Sequence, residues 1–283
     1  MIHEQKQQVK DALVRYSAGF NTQTEAAASL VQVSPALITQ VANDVWELIS
    51  ERTWHHLARQ VGFYSGEWYP ADTSGYMLLR ILFNDAMHFA TCYGIAMGSG
   101  LGKTFAASHY KREHENALYL ACNDVQNRRV FMQRLLEAAG LKPEGDVPRM
   151  IAAFTACINE KEGALLIIDD AHTLKDRVLH LIVLLANKIA GRCGIALMGN
   201  EELRRRITEG VRLKKKGYGE VYKNFGSRFI TVGRLSPGDI GRVCSANGVN
   251  DGYTISLIAD ECNGSLYRIP QLIAQYNQMS MAA

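Results

Sequence analysis

The chain has 283 residues, enough for about two domains with sizeable cores, and its 31 Lys and Arg against 28 Asp and Glu leave a net charge of only +3. That balance excludes a polyanionic partner gripped by overall charge, so only a local cluster can make such a case. No run approaches the roughly 20 apolar residues of a membrane span, the start MIHEQKQQVKDAL is polar where a signal peptide is apolar, and the six cysteines are scattered without a CxxC pair; the expectation is a cytoplasmic protein with no membrane partner and reduced core thiols.

In chain order, residues 1–60 read as a small all-α domain. Val9, Leu13, Tyr16 and Phe20 recur at helical spacing, and TEAAASLVQVSPALITQV fits a helix-turn-helix with Thr24 at its first position. Ala28 is then the small residue at the helix crossing, Ser34 the cap of the second helix, and Pro35 its first residue, with Ile38 and Val41 inward. Gln32 stands where glycine is usual, so the turn must tolerate a left-handed residue or an altered geometry. Ala36, Thr39, Gln40 and Asn43 face outward, towards a DNA groove or, in a plain three-helix adaptor, a protein.

Residues 61–75 read as a Gly-, Pro- and aromatic-rich linker. From 76 to 235 strand and helix patterns alternate, which argues an α/β domain with a parallel sheet. Its strand candidates are Cys92 to Met97, Ala117 to Ala121, Leu165 to Ile168, Ile195 to Met198 and Phe229 to Val232. Residues 236–283 read as a small helical lid.

The stretch after the first strand is GSGLGKTF. Gly98, Ser99, Gly100, Leu101 and Gly102 lead into Lys103, Thr104 and Phe105, matching the end of GxxxxGK[ST] between a strand and a helix; Met97 stands where the first glycine of that pattern falls. Backbone N–H groups of such a loop cradle phosphates, the lysine reaches the β and γ groups of ATP, and the Thr104 hydroxyl meets Mg2+. In ALLIIDDAH, Asp169 arrives at the carboxyl end of an apolar strand, where a carboxylate holds the magnesium shell, and Asp170 follows where many ATPases place Glu to polarise water. One methylene shorter than Glu, Asp170 implies slow turnover. GIALMGN delivers Asn200 to another strand end. Arg228 before the last strand and Arg268 in the lid are candidates for meeting transition-state charge, and Tyr76 is an adenine candidate by position.

The run EELRRRITEGVRLKKKGYGEVYKNFGSR holds nine basic residues against four acidic ones, a larger surplus than that of the whole chain. Lys214, Lys215 and Lys216, with Arg204, Arg205, Arg206 and Lys223 behind them, are the candidates for contact with a DNA backbone.

GSGLGKT, LLIIDDAH, ALMGN and NFGSRF followed by GSLYR together resemble the AAA+ P-loop ATPases, and within them the target-selection ATPases of DNA transposition, the Mu B, TnsC, IstB and TniB types. The resemblance implies a five-stranded parallel sheet, Arg228 as an arginine finger acting on the next subunit of a homo-oligomeric ring or helical filament, and Arg268 as a second sensor. It also implies a transposase partner, oligomerisation on double-stranded DNA, and ATP hydrolysis that takes the assembly apart. A helicase loader, an ATP-dependent transcription regulator and a nucleotide-locked scaffold remain open alternatives.

Overall fold

Helix starts in the first sixty residues are set by local hydroxyls. The elements are α1 His3–Ser17, α2 Gln23–Ala28, α3 Pro35–Ala42 and α4 Glu51–Gln60. Thr22 Oγ1 accepts the Glu25 N–H at 3.2 Å and Ser34 Oγ accepts the Leu37 N–H at 3.2 Å, with Pro35 in the first turn of α3; caps of this kind contribute about 1 kcal/mol each. Gln32 takes φ 54, the left-handed geometry expected of its place. Ile38 and Val41 are buried with Val9, Leu13, Trp54 and Leu57. The register of α2 differs from expectation: Ala26 and Ala27 are buried and Ala28 is exposed, since Thr22 caps the helix and starts it at Gln23.

Next come α5 Ser74–Phe89, β1 Cys92–Met97, α6 Lys103–Glu113, β2 Ala117–Ala121, α7 Arg128–Ala138 and α8 Val147–Asn159. After them lie β3 Ala164–Asp169, a 3-10 turn Ala171–Thr173, α9 Asp176–Lys188, β4 Cys193–Gly199 and α10 Glu201–Arg212. The short α11 Tyr218–Val221 runs through a π turn, Tyr222–Gly226, into β5 Phe229–Val232. The five strands form one parallel sheet in the order β2-β3-β4-β1-β5. Every residue of β3 and β4 is buried, which explains their unbroken apolar runs: helices cover both faces. Leu79, Phe83, Ala107 and Tyr110 of α5 and α6 pack on Ile95, Leu165, Ile167 and Met198. On the other face Phe131, Leu135, Phe154 and Ile182 of α7, α8 and α9 pack on Leu166, Ile168, Ile195 and Leu197. Gly94 and Gly194 are where backbone crosses backbone. A Cβ at Gly94 would stand 2.0 Å from the Phe225 carbonyl oxygen, and one at Gly194 2.0 Å from that of Ala86.

The chain closes with α12 Pro237–Ala246, α13 Gly252–Glu261 and α14 Ile269–Ala282. This computed structural model describes residues 3–30, 32–61, 68–123, 125, 127–227 and 229–282, and it divides into two compact units: Met1–Ala71 with Ile240–Glu261 and Ile269–Ala283, and Asp72–Asp239 with Cys262–Arg268. In the first unit the buried Asn247 side chain accepts the Tyr69 N–H at 2.9 Å and donates to the Tyr69 and Val243 carbonyls at 3.2 and 2.8 Å, so an amide spends its hydrogen bonds tying an extended segment to α12. Among the described residues no helix is long and apolar enough to cross a membrane.

Because α5 lies directly on β4 at Gly194, Gly194→Ala forces two backbones apart. It is expected to cost about 3 kcal/mol or more, the upper end for overpacking, read as a lowered urea midpoint.

Candidate functional site

The sheet order sets β3, β4 and β1 side by side, so the residues that follow their carboxyl ends meet at one edge, where ligands bind in open α/β sheets. Leu165, Ile167 and Asp169 alternate onto the face that α5 and α6 cover, and Asp169 is fully buried there. Its Oδ2 accepts the Thr104 hydroxyl at 2.7 Å and the Tyr119 hydroxyl at 3.2 Å, while Oδ1 accepts the Asp170 N–H at 2.9 Å. Lys103 is 8% exposed, its Nζ donating to the carbonyl oxygens of Met97 and Gly98 at 2.8 and 2.9 Å. The loop thus folds on itself and its lysine is spent on its own backbone. Gly102, at φ 90, is the N-cap of α6 and Gly100 has φ 74, both left-handed positions that glycine takes without strain. Phe105 rests between Tyr76 and His109, and the Tyr76 hydroxyl is bonded to His109 Nδ1 at 3.0 Å.

Burial dominates the electrostatics. It pushes the Asp169 carboxyl above the ordinary carboxylate range, helped by the charge of Asp170 and opposed by the Thr104 hydrogen bond and Lys103. It pulls the Lys103 ammonium down, against the attraction of both aspartates. It also raises the Tyr119 phenol, so this hydroxyl stays a donor at every physiological pH. Tyr119 went unnoticed in the sequence. Only the pairing of Ala121 with Asp169 puts it diagonally across from that carboxylate.

Asp170 caps the 3-10 turn at φ 54, with Oδ1 3.9 Å from His172 Nδ1. Asn200 follows β4 and caps α10, its Oδ1 accepting the Glu202 N–H at 3.0 Å. Ser99 and Gly98 are exposed and Leu101 is half-buried. Arg268 is exposed; two residues before it, the Leu266 N–H donates to the Gly100 carbonyl at 2.7 Å, and a Cβ on Gly100 would stand 2.4 Å from Ser265 Oγ. The GSLYR segment therefore lies against the glycine loop. Arg228 lies outside the described residues.

Arg204 forms an exposed ion pair with Glu201, both carboxylate oxygens within 3.0 Å of Nε. Arg206 turns inward, Nη1 donating to the His172 carbonyl at 3.2 Å. Arg205 and Lys223 are exposed. After α10, the Lys214 N–H donates to the Val211 carbonyl at 3.0 Å and the Lys215 N–H to that of Gly210 at 2.9 Å, the paired bonds of a Schellman turn. Its left-handed residue is Lys214, φ 51. Lys214, Lys215 and Lys216 are all exposed.

A hydroxyl and a carboxylate are the hard oxygen donors that magnesium takes, and a small protein share of ligands suits an ion whose remaining ligands are phosphate and water. Thr104 and Asp169, already in contact beneath a loop of three glycines, fit a magnesium-bound triphosphate. Among the described residues no group of three or more His, Cys, Asp or Glu could hold a metal on protein ligands alone. Bound there, the ion supplies neutralisation of phosphate charge.

Residues 89–207 match the family model of the AAA domain. No curated protein matches the sequence. Among solved structures, the chain is similar to the crystal structure of a DNA replication initiation factor at 13% identity, TM-score 0.48, covering 71% of this chain and 60% of that one. It is also similar to the S. cerevisiae Hsp104–ADP complex at 14% identity, TM-score 0.45, covering 95% and 56%. This chain thus spans less than two thirds of either. The parallel sheet and the glycine loop between β1 and α6, with the AAA-domain match over residues 89–207, give this part of the chain the fold of an AAA+ P-loop NTPase.

A carboxyl with a raised folded pKa stabilises the fold while protonated; that contribution is complete below its unfolded pKa of about 4 and lost as pH rises through the folded value. Asp169→Asn, whose neutral amide the Thr104 and Tyr119 hydroxyls can rotate to meet, is expected to raise the thermal midpoint of nucleotide-free protein at pH 7. The gain should shrink to nothing as pH falls to about 4, and thermal melts across that range check it. Tyr119→Phe keeps the ring and removes one donor from the carboxylate. The magnesium concentration for half-maximal binding of a fluorescent ATP analogue is expected to rise about tenfold, with magnesium-free binding unchanged.

Proposed function

We propose that this chain is an ATP-dependent DNA-binding ATPase that assembles as a homo-oligomer, ring or helical filament, on duplex DNA, marks that DNA as target for a transposase, and leaves it on hydrolysis. In this reading Lys103 gives up the carbonyls of Met97 and Gly98 for the phosphates of ATP, and Thr104 and Asp169 hold magnesium. Asp170 orients the attacking water, and Asn200 approaches the γ phosphate once freed from its cap. Arg228 of one subunit meets the nucleotide of the next, and Arg268 acts from the lid. The transposition assignment is supported by the combined likeness of GSGLGKT, LLIIDDAH, ALMGN and NFGSRF with GSLYR.

The observation that carries the DNA reading is the turn Lys214–Lys216. Three consecutive lysines stand exposed, with no ion-pair partner among the described residues. Lys214 holds a left-handed conformation that costs an L-residue about 1 kcal/mol and glycine nothing. A charge kept at that expense, in a protein with little net charge, suits a phosphate backbone.

The test is anisotropy of labelled random duplex across a salt series with a non-hydrolysable ATP analogue, followed by electron microscopy. Binding is expected with a steep salt dependence, and alanine at Lys214, Lys215 and Lys216 together should lower the slope of log K against log salt by roughly 2 to 3. Continuous assemblies on duplex support target selection. Binding to single strands alone would replace it with the helicase-loader reading, and occupancy of one isolated sequence with transcription control.

A further inference from the structure

One group of polar side chains beside α10 belongs neither to the phosphate loop nor to the exposed lysines. Tyr218, the first residue of α11, is 2% exposed and donates its hydroxyl to Asp176 Oδ1 at 2.7 Å. Arg206 Nε lies 3.9 Å from the same oxygen, while its Nη1 holds the His172 carbonyl at 3.2 Å. His172 sits on the 3-10 turn that Asp170 opens, and Asp170 in turn donates its N–H to Asp169.

The other end of this chain of contacts is the basic turn. Gly217, directly after Lys216, lies on the His180 ring so closely that a Cβ would stand 2.5 Å from Nε2. The Tyr218 ring lies on Gly210 of α10, where a Cβ would be 2.2 Å away. Moving the backbone of residues 214–217 therefore moves Tyr218 and His180. Through Asp176 and Arg206 the displacement reaches the carbonyl of His172, two residues after Asp170.

Two features mark this group as more than packing. Buried polar atoms are nearly always hydrogen-bonded, yet His172 Nδ1, His180 Nε2, and Nε and Nη2 of Arg206 are buried without a hydrogen-bond partner. They make up four of the seven such side-chain atoms among the described residues. Both ends of the run also rest on left-handed non-glycine residues, Lys214 and Asp170. A second arrangement that paired these polar atoms would supply the two-state element that coupling between sites needs.

We propose that Arg206, Tyr218 and Asp176 tie the basic turn to Asp170, so that a DNA backbone seated on Lys214–Lys216 re-pairs Arg206 and shifts Asp170 into its working position. Arg206 is then a positioning residue and not a phosphate contact, and duplex DNA stimulates ATP hydrolysis through it. The inference rests on the DNA-binding ATPase reading above and names the regulation of that site.

The test uses the full chain with Tyr218→Phe, which removes one hydroxyl and keeps the ring against Gly210. Phosphate release is measured with and without saturating random duplex, alongside duplex affinity and a thermal melt. Duplex affinity and DNA-free turnover are expected within about twofold of the unmodified protein, while the stimulated kcat falls about fivefold or more with KM for ATP unchanged. Arg206→Gln supplies the second readout: a positioning residue leaves the salt slope of duplex binding as it was, whereas a phosphate contact lowers it by about 0.9. Equal stimulation of Tyr218→Phe and the unmodified protein, or a lowered slope in Arg206→Gln, overturns the inference alone, as does an unmodified protein that binds duplex without stimulation. An unmodified protein that does not bind duplex overturns the DNA-binding reading and the inference with it.

Discussion

The hydrogen bond from Thr104 to Asp169, 2.7 Å long, is the contact on which the site depends. It joins the first turn of α6, which follows β1, to the last residue of β3, and β1 and β3 are not neighbours, since β4 lies between them. Strand side chains alternate with a period of two. A β3 shifted by one residue would turn Asp169 towards the α7 to α9 face, among Leu166 and Ile168. The register Ala121 to Asp169 across β2 and Ile167 to Ala196 across β4 fixes the correct face from both sides. Burying a carboxylate is costly unless hydrogen bonds meet it, and here two hydroxyls and one backbone N–H do so. The fold holds a carboxyl group in its interior by giving it two hydroxyls and a backbone N–H as donors.

The same economy runs through the rest of the edge. Lys103 satisfies itself on two backbone carbonyls, and Asn200 on the first turn of α10. Leu266 closes on Gly100. Each of these groups is thus hydrogen-bonded within the protein itself.

Charge is distributed on a different principle. The near-neutral total conceals a basic segment after α10, and within that segment the arginines and lysines have separate positions. Arg204 pairs with Glu201 and Arg206 is drawn inwards, which leaves Lys214, Lys215 and Lys216 on the solvent side of a turn. A run of like residues in the sequence is three distinct environments in the structure.

Much of the fold was legible in local pattern. Short apolar runs marked four of the five strands because a doubly covered parallel sheet buries every residue of its central members, and Ser34 with Pro35 marked the start of α3 because capping is decided within four residues. Gln32 announced its left-handed turn by standing where glycine would. The glycine loop before Lys103 was legible because its pattern lies within a few residues, between β1 and α6. Tyr119, Arg206 and Leu266 were not legible, because each meets its partner only through strand order or a returning chain segment. So too the grouping of α12 to α14 with the first four helices, which no periodicity records. The sequence by itself determined where the five strands and the glycine loop after β1 fall. Tertiary structure alone decided which side chains face Asp169 and which basic residues remain in water, since those outcomes depend on distances between residues far apart in the chain.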